Sequence, residues 1–211
     1  GVLGRTGLTV YFSITRDLVP KSGETMVVSA AAGAVGSLVV QVAKIMGARV
    51  IGLTSTDEKC AWITKLGCDE VINYKAVNNL SAAIARAAPN GVDMYYDNVG
   101  GPIADAALAN LNAGGRLTRV GVSASYSEVN DDGTPWSWPG HQAMFIIHDH
   151  VPDYPEGLAQ LSAWIKEGRL TYREDVVDGL GNAMSGWLDM MTGGNRGKRI
   201  VRMAVNPNGI A

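Results

Sequence analysis

Short apolar segments alternate with helix-forming segments along most of the chain. Predicted strands cover residues 25–30, 48–54, 69–74, 92–97, 116–122 and 144–148, and predicted helices cover residues 37–47, 55–67, 79–88 and 102–115. The strand segments are short and mostly apolar, which is typical of parallel strands that are buried on both faces. Strands that alternate with helices in this way predict an α/β fold with a doubly wound parallel sheet and right-handed crossovers.

The pattern changes towards the C-terminus. A further helix is predicted at residues 154–170, and a strand, a helix and a strand follow at residues 172–179, 182–194 and 198–205. Because this strand–helix–strand unit follows a different rhythm, it need not join the main sheet.

The bulk composition excludes several classes of partner. The 211 residues are 46% hydrophobic and 18% charged, and the formal net charge is −2. A protein that binds nucleic acid usually presents a positive face, so nucleic acid is not expected as a partner. Thr25–Ala43 is uncharged and long enough to cross a membrane, but its Ala, Gly and Ser content favours a buried strand–turn–helix instead. The only cysteines, Cys60 and Cys68, need no disulfide framework and indicate a reducing compartment, the cytoplasm.

The segment VVSAAAGAVGS, residues 27–37, joins the first predicted strand to the first predicted helix. A dinucleotide-binding turn needs small residues at three places, for the tight turn, for close approach of the pyrophosphate and for helix–strand packing. Here these places are held by Ala31, Gly33 and Gly36. The helix that follows would offer free N–H groups to an anion. The segment therefore predicts a Rossmann-type nucleotide site, although small residues also occur at ordinary tight turns.

The end of the second predicted strand indicates which dinucleotide would bind. Folds that hold NAD usually place Asp or Glu there for the ribose hydroxyls, whereas this chain has Thr54. Ser55, Thr56 and Lys59 supply hydroxyls and a cation that would attract a 2′-phosphate, which favours NADP over NAD. The alternative is that Ser55 only caps the next helix, with Glu58 at capping-box spacing, and that Lys59 is solvated.

Other catalytic patterns are absent from the sequence. It has no Tyr-x-x-x-Lys pair, no G-x-S-x-G elbow and no complete Walker A motif. His148 and His150 flank Asp149, but alternate residues without a third ligand make a weak metal site, so no metal is expected.

Five segments carry a family resemblance that extends over nearly the whole chain: GLTVYF, VVSAAAGAVGSLVVQVAK, DEKCAWITKLGCDEVINYK, GVDMYYDNVGG and GNRGKRIVRM. Together they resemble the zinc-independent medium-chain dehydrogenase/reductases. Within that family the chain is similar to the prostaglandin reductases (leukotriene B4 12-hydroxydehydrogenases) and the NADPH-dependent double-bond reductases. AAAGAVGS followed by DNVGG is specific to this group.

The resemblance implies a set of residues that contact NADP(H). Four of them would hold the pyrophosphate, Lys59 would meet the 2′-phosphate, and the others would lie along the adenosine and nicotinamide parts of the cofactor. The full set is Gly33, Ala34, Val35, Gly36, Lys59, Tyr74, Asn98, Val120, Gly121, Tyr126, Phe145, Ile147 and Asn195. Phe145 and Ile147 would act through backbone groups, and Asn195 would close over the cofactor from the C-terminal segment.

The implied reaction is hydride transfer from NADPH to the β-carbon of an α,β-unsaturated ketone or aldehyde. The hydride chemistry belongs to the cofactor, and the protein orients it and excludes water. The segment before Phe145 lacks the tyrosine that some family members offer to the enolate, so the catalytic residue stays unknown. Two alternatives stay open: a non-catalytic NADP-binding module or truncated fragment, and an NADPH-quinone oxidoreductase.

The resemblance also implies a domain organisation. Members of the family carry an N-terminal GroES-like domain that this chain is expected to lack. Residues 1–22 would then be a connecting segment, 23–170 the NADP-binding domain, 171–205 a C-terminal return segment that packs on the absent domain, and 206–211 a tail. The strand at 144–148 and its neighbouring loop would be a plausible edge for a homodimer.

Overall fold

The structure, a computed structural model, describes residues 1–121 and 144–203. The α-helices are α1 (Arg5–Phe12), α2 (Gly36–Ile45), α3 (Asp57–Lys65), α4 (Leu80–Ala87), α5 (Gly101–Leu108), α6 (Tyr154–Lys166) and α7 (Ala183–Met191). The strands are β1 (Thr25–Val28), β2 (Arg49–Thr54), β3 (Glu70–Asn73), β4 (Val92–Asp97), β5 (Leu111–Arg119), β6 (Glu174–Asp178) and β7 (Lys198–Arg202). A π-helical segment at Ser13–Leu18 and short 3-10 helices at Ile147–Asp153 and Leu180–Asn182 complete the described secondary structure.

Five strands form one parallel sheet in the order β3-β2-β1-β4-β5. β1 lies at its centre, where Val27 is in register with Ile51 of β2 and with Tyr95 of β4. The strand order reverses beside β1, because the chain moves outward through β2 and β3 and then returns to β4. This arrangement confirms the predicted α/β fold with a doubly wound parallel sheet.

Helices cover both faces of this sheet, which explains why its central strands are apolar throughout. Successive residues of β1 point to opposite faces, so that Met26 and Val28 belong to one hydrophobic cluster and Val27 to the other. The first cluster includes α1, α2, α3 and α6, and the second includes α4 and α5. Between the two layers of helices, the carboxyl edge of β1 and β4 is where doubly wound sheets bind ligands.

Two predicted elements differ from the structure. The helix predicted at residues 102–115 ends at Leu108, and residues 111–115 already belong to β5. The sequence Gly114-Gly115 resembles a helix stop, but here it lies in a register shift between β4 and β5, where Gly114 has a φ of 78°. Glycines that end a helix and glycines that form a bulge have the same local signature, and only the pairing with β4 distinguishes them.

The strand predicted at residues 144–148 is also wrong in the described part of the chain. Met144 makes a single parallel bridge with Arg119, and a 3-10 helix begins at Ile147. The chain turns because the His150 ring stacks on the Phe145 ring, with 5.3 Å between their centroids, and on the Phe12 ring at 4.9 Å. The aromatic contacts with α1 compete with strand pairing, and the sequence pattern does not show them.

The N-terminal segment packs into the same core rather than lying over its surface. Phe12 and Ile14 are completely buried, and α1 lies against α6. Gly157 of α6 makes this approach possible, since a Cβ there would lie 2.8 Å from a methyl carbon of Leu8. The predicted boundary at residue 22 stays a prediction.

The C-terminal part forms a separate unit in which β6 and β7 pair in parallel, with Val176 opposite Ile200. Arg199 connects this unit internally through ion pairs to Asp175 at 3.0 Å and to Asp189 at 2.6 Å. The predicted strand–helix–strand is therefore present and, as expected, does not join the main sheet.

An apolar face of this unit is open to solvent. Side chains on and beside α7 are about half exposed or more: Leu180 (64%), Met184 (66%), Trp187 (49%) and Leu188 (53%). Contiguous apolar surface of this kind is typical of surfaces that another protein part covers.

We expect the 211-residue chain to self-associate through this apolar face. The double substitution Trp187→Gln with Leu188→Gln should shift its sedimentation towards the monomer, because it replaces exposed apolar area with polar groups. Val151→Gln, which changes a half-exposed valine away from α7, is the matched control and should leave association unchanged. A wild-type chain that sediments as a monomer at micromolar concentration would contradict this expectation.

No helix in the described ranges combines the length and the apolar character needed to cross a bilayer. The uncharged stretch that could suggest one is divided between β1, a turn and α2.

Candidate functional site

The turn between β1 and α2 lies at the carboxyl edge of the sheet, and its backbone leaves little space for side chains. Ala30 adopts a left-handed conformation with a φ of 46°, and the Gly33 amide donates to the Ala30 carbonyl at 2.8 Å. A Cβ on Gly36 would lie 2.3 Å from the Ala30 carbonyl oxygen and 2.7 Å from the Ala31 Cα. A Cβ on Gly33 would lie 3.2 Å from the same oxygen. Gly36 is therefore the position where only glycine fits, and Ala31 fills its place without strain.

The turn ends at the beginning of α2, with Ala34 and Val35 leading into the helix. The Ser37 amide donates to the Gly33 carbonyl at 3.1 Å, so the first helical hydrogen bond closes immediately after the turn. The N–H groups before that point are those that a helix N-terminus offers to an anion.

The end of β2 brings the second part of the site next to this turn. Thr54 is buried, and its hydroxyl lies 3.0 Å from the Cys60 sulfur. Thr56, not Ser55, caps α3: its side-chain oxygen accepts a hydrogen bond from the Lys59 amide at 3.3 Å. The capping-box spacing of Ser55 and Glu58 predicts Ser55 as the cap, and this prediction is wrong. The extended backbone of Thr56, with a φ of −150° and a ψ of 152°, places the cap one residue later.

Lys59 is only 8% exposed, which excludes the alternative that it is a solvated surface lysine. Its ammonium group donates a hydrogen bond to the carbonyl of Gly193, a residue of the C-terminal segment. Burial, and then the nearby charge of Arg196, lower the pKa of Lys59 below its usual value. A buried ammonium with a lowered pKa is a position where a bound anion would be strongly favoured.

The C-terminal segment at residues 193–197 lies across both of these elements. The Gly197 amide donates to the Ala32 carbonyl at 2.9 Å, and Gly197 forms a parallel bridge with Gly33. The Asn195 side-chain amide donates to the Gly197 carbonyl at 2.9 Å, which holds Asn195 beside the glycine turn. The structure thus brings Gly33, Lys59 and Asn195 to the same edge of the sheet, and their contacts with a cofactor stay a prediction.

Asn98 is held at the same edge by two contacts with Ser29. Its backbone amide donates to the Ser29 hydroxyl at 2.8 Å, and its side-chain amide donates to the Ser29 carbonyl at 2.8 Å. Ser29 is the residue after β1, so these contacts join the segment that follows β4 to the start of the glycine turn.

A buried polar network that the sequence pattern does not predict surrounds Asp97, next to Asn98. Asp97 is completely buried, and its carboxylate accepts hydrogen bonds from the Tyr95 hydroxyl at 2.9 Å and the Gly100 amide at 2.8 Å. The Arg119 guanidinium donates to the same carboxylate at 3.3 Å. A charged residue at the end of an apolar strand was the available signal, because a buried carboxylate must be paired. The network fixes the DNVGG segment and the end of β5.

Val120 and Gly121 follow β5 and lie beside this network. Their amides donate to the Asp97 carbonyl at 2.8 and 3.2 Å. A Cβ on Gly121 would lie 2.6 Å from the Asn98 carbonyl oxygen, so the two segments touch at this point. Tyr126 lies outside the described residues.

Phe145 lies beside the end of β5, and Ile147 begins the 3-10 helix that follows, so neither residue is in a strand. The Phe145 amide donates to the Arg119 carbonyl at 2.8 Å, and the Ile147 carbonyl accepts from the Tyr154 hydroxyl at 3.2 Å. Both backbones are therefore fixed, which is a requirement for the backbone role that the resemblance implies.

Tyr74 marks the outer end of the candidate site. It follows β3, its amide donates to the Thr54 carbonyl at 2.9 Å, and its side chain is partly buried. Tyr74 is thus joined to the same strand end that precedes Lys59.

The remaining candidates do not form a site. Within residues 1–121 and 144–203, no group of three or more His, Cys, Asp or Glu side chains could hold a metal ion. His150 is occupied by its aromatic stacking with Phe12 and Phe145. Cys60 and Cys68 are both free thiols, and burial raises the pKa of Cys68 to about 12, which makes that thiol unreactive at neutral pH.

Comparisons with known proteins agree with this geometry. The model of a family described as zinc-binding dehydrogenase matches residues 34–137. A putative NADP-dependent oxidoreductase of Bacillus subtilis is 42% identical over 218 residues, which cover 97% of this chain and 63% of the relative. Bovine prostaglandin reductase 1 is 38% identical over 214 residues, which cover 96% of this chain and 64% of the relative. The crystal structure of CurA from Vibrio vulnificus with NADPH is 33% identical, with a TM-score of 0.87 over 98% of this chain and 64% of CurA.

A doubly wound parallel sheet with a glycine turn at its carboxyl edge defines a dinucleotide-binding α/β domain. Among such proteins, the matches to the zinc-binding dehydrogenase model, the Bacillus oxidoreductase and bovine prostaglandin reductase 1 support the resemblance to the zinc-independent medium-chain dehydrogenase/reductases. The relatives named above include an NADP-dependent oxidoreductase and a prostaglandin reductase, and the activity of the present chain is a proposal. The chain spans 63% and 64% of the length of the two relatives named above.

Proposed function

We propose that this chain is the cofactor-binding part of an NADPH-dependent reductase of the carbon–carbon double bond in α,β-unsaturated ketones or aldehydes. One observation carries the proposal. The glycine turn at Gly33–Gly36, the buried Lys59 and the segment at residues 193–197 converge at the carboxyl edge of the sheet. Ligands of doubly wound sheets bind at this edge, beside the point where the strand order reverses.

The residues at this edge fit NADP(H). Glycine at position 36 lets α2 pack directly on the backbone of Ala30 and Ala31, and glycine at position 33 leaves the turn without a side chain where the pyrophosphate would approach. β2 ends in Thr54 rather than a carboxylate, which removes the group that would repel a 2′-phosphate. Lys59 offers a buried cation one turn of helix further along the chain. The proposed contacts of Tyr74, Asn98, Val120, Gly121, Phe145, Ile147 and Asn195 with the cofactor rest on their places around the same edge.

When bound, NADPH would supply the hydride, and the chain's own residues would hold and orient it. The Asp97 network keeps Asn98 and the end of β5 in a fixed relation, so the nicotinamide side of the site is rigid.

A non-catalytic NADP-binding module is the second candidate, because none of the described residues is assigned as a proton donor to the product. Turnover distinguishes the two candidates. Oxidation of NADPH in the presence of an enone supports the reductase, oxidation with a quinone alone supports a quinone oxidoreductase, and binding without oxidation supports the module.

We expect the chain to bind NADPH at least about tenfold more tightly than NADH, because Lys59 can pair with the 2′-phosphate and no acid opposes it. Calorimetric titration with both cofactors measures this preference. Equal affinities would remove Lys59 from the cofactor site and leave the proposal without its main support.

Two further parts of the proposal concern the oligomeric state of the protein and its cellular location. A homodimer stays a prediction, now without the strand at residues 144–148 as its edge, and the sedimentation experiment on α7 tests association directly. A cytoplasmic location likewise stays a prediction, and the two free cysteines are consistent with a reducing compartment.

A further inference from the structure

The surroundings of Lys59 hold more positive charge than one lysine. Arg196 and Lys75 both lie close enough for their charges to lower the pKa of Lys59, after the larger effect of burial. The carboxylates of Asp189 and Asp175 act in the opposite direction. Three cations from three parts of the chain thus share one region at the outer end of the candidate site, which is a suitable environment for a dianionic group.

Backbone hydrogen bonds hold Arg196 at the edge of the positively charged region around Lys59. Its amide donates to the Asp175 carboxylate at 3.1 Å, and the next amide, of Gly197, donates to the Ala32 carbonyl of the glycine turn at 2.9 Å. Gly197 has a φ of 74°, and a Cβ there would lie 2.3 Å from the Arg173 carbonyl oxygen, so the path of the backbone is fixed. The backbone of Arg196 is therefore held in place, and only its side chain can exchange one hydrogen-bond partner for another.

That side chain has a weak partner in the structure. The Arg196 guanidinium pairs with the Glu58 carboxylate at 2.9 Å, and the two side chains are 31% and 73% exposed. Exposed ion pairs contribute little to stability because water competes for both charges. Glu58 and Lys59 are consecutive residues in the first turn of α3, so the ion pair with Glu58 keeps the Arg196 guanidinium in the neighbourhood of the buried Lys59 ammonium group.

We propose that Arg196 is a second 2′-phosphate-binding residue, provided by the C-terminal return segment, and that Glu58 holds its guanidinium when no phosphate is bound. This inference rests on the proposed function, since it concerns the same NADP(H) site. An arginine can donate two parallel hydrogen bonds to a phosphate. We expect this pair to be stronger than the exposed ion pair between Arg196 and Glu58, so a bound 2′-phosphate would replace the Glu58 carboxylate as the partner of Arg196. Selection of NADPH over NADH then depends on two segments of the chain that are far apart in sequence.

Adenosine 2′,5′-bisphosphate and 5′-AMP are the probes for the experiment, because they differ only in the 2′-phosphate. Calorimetric titration of the intact chain with both should show that Arg196→Ala raises the Kd for the bisphosphate about tenfold and leaves the Kd for 5′-AMP unchanged. Arg196→Lys should recover part of the loss. Glu58→Gln should lower the Kd for the bisphosphate about threefold, because it releases the guanidinium and removes a negative charge.

Arg202→Ala is the matched control. Arg202 lies on the same return segment and is paired with the exposed Asp178, so its loss should change neither Kd. A thermal melt of each variant checks that the return segment is still in place.

Three results would overturn the inference. If Arg196→Ala binds the bisphosphate as tightly as the wild type does, Arg196 is not part of the site, although the proposed function stands. If it weakens both probes equally and lowers the melting temperature, Arg196 has only a structural role. If the wild type does not prefer the bisphosphate to 5′-AMP, the inference and the proposed NADP(H) site both fail.

Discussion

Gly36→Ala is expected to lower the free energy of unfolding by about 3 kcal/mol and to weaken NADPH binding about 100-fold. The new Cβ would lie 2.3 Å from the Ala30 carbonyl oxygen, and no real contact of this kind is so short. The clashing atoms belong to the backbone of the turn, so they can move only if the turn opens. Opening the turn displaces the N–H groups at the start of α2 that would bind the pyrophosphate. Denaturant unfolding and calorimetric titration with NADPH measure the two effects.

Gly181→Ala is the control for this substitution. A Cβ on Gly181 would meet nothing within 4 Å, and its φ is not in the left-handed region, so the change should be close to neutral. Gly33→Ala should have an intermediate effect, since its Cβ would lie 3.2 Å from the Ala30 carbonyl oxygen. A Gly36→Ala variant with wild-type stability and affinity would show that the turn is a loose bend and not a nucleotide-binding turn.

Lys59→Glu is expected to weaken NADPH binding about 100-fold and to leave NADH binding nearly unchanged. The substitution removes a buried cation and places a carboxylate where the 2′-phosphate would lie, so attraction becomes repulsion. NADH lacks that phosphate and serves as the internal reference. Titration of the variant with both cofactors, at two salt concentrations, measures the change and its electrostatic part.

Lys65→Glu reverses an exposed charge in the last turn of the same helix and should alter neither affinity. Because Lys59 also donates to the Gly193 carbonyl, Lys59→Met, which loses this contact without adding a carboxylate, is needed to separate the effect of the new negative charge from the loss of the lysine. An unchanged NADPH affinity in Lys59→Glu would remove Lys59 from the site. Equal losses for NADPH and NADH would mean that Lys59 acts only by holding the C-terminal segment.

The order of strands and helices could be predicted because buried parallel strands are short and apolar, and the helices between them carry clear stop signals. The predictions are wrong where the same local sequence pattern is compatible with two different structures. Gly114-Gly115 resembles a helix end and forms part of a bulge in β5. Ser55 and Thr56 are both good caps, and the backbone conformation at residue 56 decides between them. Residues 144–148 resemble a strand, but contacts of His150 with Phe12 turn the chain.

The Asp97 network shows a different limit. Asp97 could be recognised as a charge at the end of a buried strand, but its partners could not. Tyr95 is two residues away, whereas Arg119 comes from the neighbouring strand, where the pairing of β4 with β5 puts it opposite Asp97. Register between strands depends on long-range packing, so a sequence pattern cannot identify such partners.

By itself, the sequence determined the class of fold, the glycine turn and the absence of an acid at the end of β2. These features depend on residue size, periodicity and charge within a few neighbouring positions. Only the tertiary structure decided that Lys59 is buried and that its ammonium group meets the carbonyl of Gly193, 134 residues further along the chain. Such a contact forms because the segment at residues 193–197, between α7 and β7, returns to the edge of the main sheet, and no local pattern encodes which distant segment will return to that place. The glycine turn is therefore a local feature, and the site around it is a tertiary one.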